Sequence, residues 1–107
     1  KTGDALTARQ SLAIATRGGA AVLGRDDIGQ LAPGYAADIA AFDCRGIDFA
    51  GAAWDLLAGL LFCGSTKTSY TIINGKIIVD QGHLVTMDMP KLLESHLAMT
   101  ADLMRKA

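Results

Sequence analysis

Apolar positions follow three different rhythms along this chain, and each rhythm predicts a different kind of element. From Thr7 to Gly24 they fall at helical spacing: Ala8, Leu12 and Ala15 share one side, with Ile14 nearby. Thr7-Ala8-Arg9-Gln10 reads as a capping box, in which the threonine oxygen accepts from the amide three residues on and Gln10 reaches back to the Thr7 amide. A helix should therefore begin near Ala8. It should falter at Gly18-Gly19, where two glycines free the backbone, and a second short turn, Gly19 to Leu23, should end at Gly24 as a left-handed cap. The small residues Ala13, Ala15, Gly18, Gly19, Ala20 and Ala21 leave room for another element to approach closely.

The second rhythm is an almost unbroken apolar run. In Ile28 to Asp43, IGQLAPGYAADIAAFD, Gly29 and Pro33-Gly34 punctuate a turn. A strand follows with Ala37, Ile39 and Ala41 on one side and Ala36, Asp38, Ala40 and Phe42 on the other. Only Asp38 is charged, so the strand is expected to be buried on both faces with partners on both sides. Asp38 itself is expected to tie strand to turn through backbone amides. Arg25-Asp26-Asp27 reads as an exposed connection and Arg45 to Gly51 as irregular. Ala52 to Phe62 reads as a short helix with Trp54, Leu57, Ala58 and Leu61 on a stripe; a buried strand over Leu60 to Cys63 competes for its end.

The third rhythm is alternation about Asn74-Gly75, a strong hairpin signal because a type I′ turn requires positive φ at both central positions. That turn places Ile72 opposite Ile77 and Tyr70 opposite Val79, giving one apolar face of Tyr70, Ile72, Ile77 and Val79 against Thr71, Ile73, Lys76 and Ile78. Asp80-Gln81-Gly82 makes a second turn, and His83 to Thr86 adds a short strand. From Asp88, with Pro90 in its first turn, a terminal helix runs toward Arg105 with Leu93, Leu97, Thr100 and Met104 as its stripe. Arg105 and Lys106 suit its C-terminal dipole.

Composition sharpens this picture. Half of the 107 residues are apolar, a high share for a domain whose large surface-to-volume ratio calls for polar cover. The surplus predicts a missing partner, and a chain that opens on Lys1 directly in a helical pattern is expected to be a C-terminal piece of something longer. A net charge of −1 argues against a nucleic-acid surface. No apolar run approaches the roughly 20 residues of a membrane span, the longest lying around Leu56 to Phe62. With no signal peptide in view, a cytoplasmic location is expected. Cys44 and Cys63 lie far apart, in neither a CxxC pair nor a dense framework, and read as small, buried, reduced hydrophobes.

The order Ala15-Thr16, Gly19-Ala20, Leu23-Gly24, Gly29, Leu31, Gly34, Ala37, Asp38, an apolar run and Asp43, followed by IINGKIIVDQG at Ile72 to Gly82, resembles the C-terminal end of the amidohydrolase superfamily. LLFCG at 60–64 and the long helical tail are most similar to the group of 8-oxoguanine deaminases and hydroxyatrazine hydrolases. The resemblance implies an α/β fragment: the last outer helices of a (β/α)8 barrel (residues 1–24), the C-terminal part of a small composite β-sandwich with an inserted helix at 52–62 (residues 25–87), and a C-terminal helix (residues 88–107). It implies a TIM-barrel hydrolase with one or two divalent metals, zinc or iron, which lower the pKa of a bound water that attacks the ring. The superfamily's ligands are a His-x-His pair, later histidines or a carboxylated lysine, and an aspartate ending the eighth strand. None has a match in this sequence.

The residues that could be mistaken for such groups have structural readings. His83 follows a glycine turn and His96 sits on the tail helix, and neither has a second histidine at ligand spacing. Asp4 fits a helix entry better than the metal-binding aspartate. Arg17-Gly18-Gly19 lacks the strand and further glycines of a phosphate loop. No residue here is therefore expected to be catalytic, cofactor-binding or metal-ligating. The expected role is structural, within a parent enzyme that deaminates an aminated purine, pyrimidine or triazine ring. Its partners would be the barrel and N-terminal strands of that parent and a small heterocyclic substrate, with neither nucleic acid nor membrane, and homo-oligomerisation left open. The alternative is a stand-alone, non-catalytic self-association module.

Overall fold

The computed structural model describes residues 6–64 and 67–106. Thr7 starts helix α1 (Ala8–Ala13) as its sequence requires: its hydroxyl accepts from the Gln10 amide at 3.2 Å and the Gln10 side chain accepts from the Thr7 amide at 2.9 Å. The helix does not falter at the glycines. It widens into a π turn (Ile14–Gly18) and continues as α2 (Gly19–Val22), with Gly18 and Gly19 both in right-handed helical conformation, one of the regions glycine permits. The helix stops after Val22, where Gly24 takes φ +67°. The amides of Gly24 and Arg25 return to the carbonyls of Ala21 and Ala20 at 3.1 and 3.0 Å, satisfying two orphaned acceptors in a Schellman motif. Gly29, at φ +88°, then lies against the widened turn: a methyl group there would stand 2.9 Å from the Thr16 carbonyl oxygen and 3.0 Å from the Ala20 Cβ. The small residues of the helix admit that approach.

The Ala32–Tyr35 turn closes through a 3.1 Å backbone hydrogen bond with Gly34 at φ +88°, a type II turn. Strand β1 follows but holds only Ile39–Ala41. It is an edge strand in the antiparallel order β1-β2-β3-β4, with one neighbour where the sequence led us to expect two. Two bonds fasten it to the hairpin turn: the Asp38 carboxylate accepts from the Asn74 amide at 2.7 Å, and the Ala37 carbonyl accepts from the Gly75 amide at 3.1 Å. Asp38 does tie strand to turn.

Strands β2 (Tyr70–Ile73) and β3 (Lys76–Asp80) flank Asn74 and Gly75, whose φ values of 48° and 77° are those of a type I′ turn. Ile73 opposes Lys76 and Ile72 opposes Ile77, but a bulge then places Thr71, not Tyr70, opposite Val79. The expected single apolar face is thereby divided. Ile39, Ile72 and Ile77 form one cross-strand row; Ala40, Thr71, Val79 and Leu84 form another on the opposite face. Strand β4 is only His83–Leu84.

The segment expected to be irregular contains a 3₁₀ turn, Ile47–Phe49, whose Phe49 is 3% exposed. Helix α3 (Leu56–Phe62) begins later than Ala52 because the Asp55 carboxylate caps it, accepting from the Ala58 amide at 3.0 Å. Trp54 thus precedes the cap, off the helical stripe, and is 99% exposed. The competing strand over Leu60–Cys63 does not form. Helix α4 (Met89–Lys106) is capped by Asp88, whose carboxylate accepts from the Lys91 amide at 3.1 Å. Its stripe residues Leu93, Leu97, Thr100 and Met104 are all exposed, and none of its residues is buried.

Little of the chain is covered by its own atoms. Its accessible surface is 8812 Å², about 3,100 Å² more than the roughly 5,700 Å² of a folded monomer of this mass. Its radius of gyration is 18.5 Å against about 13 Å for a compact domain of this length. Among the described residues, Ala20 and Phe49 are the only buried hydrophobic side chains.

Candidate functional site

The chemically versatile side chains are dispersed. Strand pairing sets His83 opposite Asp80, and the His83 Nδ1 donates to the Gln81 carbonyl oxygen at 2.9 Å. His96 stands exposed on α4, where its carbonyl accepts from the Thr100 hydroxyl at 2.9 Å. Cys44 is half-buried and Cys63 exposed, both with free thiols. Asp4 lies outside the described residues. Among the described residues no three His, Cys, Asp or Glu side chains gather into a group that could hold a metal ion. The described residues do not fit a catalytic divalent metal, which needs at least three protein ligands at one point.

A cleft of about 510 Å³ is lined by Asp43, Arg45, Lys67, Thr68, Tyr70 and Gln81, among others. Asp43 and Arg45 form a fork: Nε donates to Oδ1 at 2.9 Å, Nη2 to Oδ2 at 2.7 Å, and the Arg45 amide donates to Oδ1 at 3.0 Å. The guanidinium, then the amide, hold the Asp43 carboxyl well below the usual aspartate range. Such a carboxylate stays ionised at neutral pH with its lone pairs engaged, and its partner guanidinium does not release a proton. The Asp43–Arg45 pair therefore supplies neither a general base nor a general acid. Arg25 and Asp27 repeat the arrangement at 2.8 and 2.6 Å, with the Asp27 carboxyl again lowered by its arginine. Sequence reasoning passed over both pairs, although opposite charges two residues apart in a loop were the available signal.

What the fold does present is uncovered apolar surface. Ile73 and Ile77 of the hairpin, the α4 stripe and a groove of about 440 Å³ beside α3, lined by Ala52, Trp54, Ala58 and Phe62, are open to solvent. No helix is long and apolar enough to cross a membrane among the described residues.

Residues 2–79 match the model of the amidohydrolase family. The chain belongs to the amidohydrolase family. Among curated relatives of this amidohydrolase chain, the 8-oxoguanine deaminase of Pseudomonas aeruginosa is 37% identical over 95 residues, covering 89% of this chain and 21% of that one. The hydroxydechloroatrazine ethylaminohydrolase of Pseudomonas sp. is 42% identical over 94 residues, covering 85% and 18%. The atrazine chlorohydrolase of Arthrobacter aurescens, in a crystal structure complexed with zinc, superposes with a TM-score of 0.78 at 37% identity, covering 87% of this chain and 20% of that one. The amidohydrolase chain thus spans about a fifth of the length of these relatives.

Proposed function

We propose that this chain is the structural C-terminal part of a longer metal-dependent amidohydrolase that deaminates an aminated purine, pyrimidine or triazine ring by hydrolysis. In that reading residues 1–24 are the last outer helices of a (β/α)8 barrel, residues 25–87 complete a small composite β-sandwich, and residues 88–107 form the closing helix. The metal, zinc or iron, and the heterocyclic substrate are held by the remainder of the parent chain, in the cytoplasm. The observation that carries the proposal is the surface excess of about 3,100 Å² over a folded monomer of this mass. One partner of a standard interface covers about 800 Å²; the excess is several times that, the scale of a domain core exposed on one side. The names of the matched relatives support the class of ring and reaction.

The test is a chimera in which this chain replaces the matched C-terminal segment of the Pseudomonas aeruginosa 8-oxoguanine deaminase. A soluble, metal-loaded chimera that releases ammonia from 8-oxoguanine, beside a truncated body that does not, is the expected result. Equal activity from the truncated body, or turnover by the isolated 107-residue chain with added zinc, would overturn it. A second reading, a stand-alone self-association module, draws on α4, none of whose residues is buried, and on the exposed Trp54. It requires the isolated chain to form a defined oligomer by sedimentation and the chimera to gain nothing from its presence.

A further inference from the structure

We draw no further inference here: the strongest candidate, the apolar groove beside α3 where Trp54 and Phe62 stand in solvent, is an unpartnered face, and nothing in the structure shows whether a second copy or a segment of a longer chain covers it.

Discussion

Replacing Gly59 with alanine sets two effects of opposite sign against each other at one position. Within a helix the change ordinarily stabilises by about 1 kcal/mol, because glycine loses the most backbone freedom on folding. At Gly59, inside α3, a methyl group would stand 2.6 Å from the Ala52 Cβ and 3.4 Å from the Phe49 Cδ1. Ala52 has no rotamer through which to retreat. Its amide is bonded to the Phe49 carbonyl at 2.9 Å and its carbonyl to the Asp55 amide at 3.0 Å, so its backbone is pinned on both sides. Overpacking of this kind costs about 1–3 kcal/mol, and with the neighbour unable to yield we place the cost near the upper end. The net is a destabilisation of about 2 kcal/mol, or about 30-fold faster exchange of the α3 amides through local opening. The amides of Gly59 and Cys63, bonded at 2.9 and 2.8 Å, are the reporters. Gly19→Ala is the control: that residue is helical with nothing within 4 Å of an added methyl, and the substitution should slow exchange in α2 about five-fold. Slower exchange in Gly59→Ala would show that Ala52 gives way and refute the reasoning.

Asp38→Ala removes the acceptor of the Asn74 amide and should loosen β1 from the hairpin by about 1 kcal/mol, seen as faster exchange at Asn74 while the β2–β3 pairing persists; unchanged exchange at Asn74 would count against the tie. The Asp43 carboxyl should titrate below the ordinary aspartate range by NMR and return toward it in Arg45→Ala. Because its folded value lies below its unfolded one, any stability it lends is complete above about pH 4 and fades as pH falls through the folded value. The solvent exposure of the pair makes that contribution small and salt-sensitive; an unmoved titration in Arg45→Ala would remove the guanidinium as its cause. Equilibrium dialysis of the isolated chain against zinc should show no stoichiometric binding, and chelators should leave its circular dichroism unchanged. Tight binding lost in His83→Ala or His96→Ala would place a metal site where we find none.

Features governed by residues close together in the chain were legible without a structure. The Thr7–Gln10 capping box, the left-handed cap at Gly24, the Pro33-Gly34 turn and the Asn74-Gly75 hairpin each depend on dihedral limits and hydrogen bonds spanning a few residues, and each formed as its residues demanded. The tie between Asp38 and the hairpin was half legible: a lone carboxylate in an apolar strand signalled an amide partner, while only the fold identified Asn74. The high apolar share likewise signalled the exposed apolar side chains that the fold leaves uncovered.

Tertiary structure decided what depends on elements meeting. The bulge that sets Thr71 opposite Val79 splits one expected apolar face into two rows, because strand register follows cross-strand packing that periodicity cannot see. Asp55, a cap whose role emerges only where the chain turns, moved the start of α3 past Trp54 and left that ring in solvent. The edge position of β1 has the same origin: an apolar run fixes how strongly a strand prefers burial, whereas the number of neighbours it gains depends on which other segments are there to pair with it.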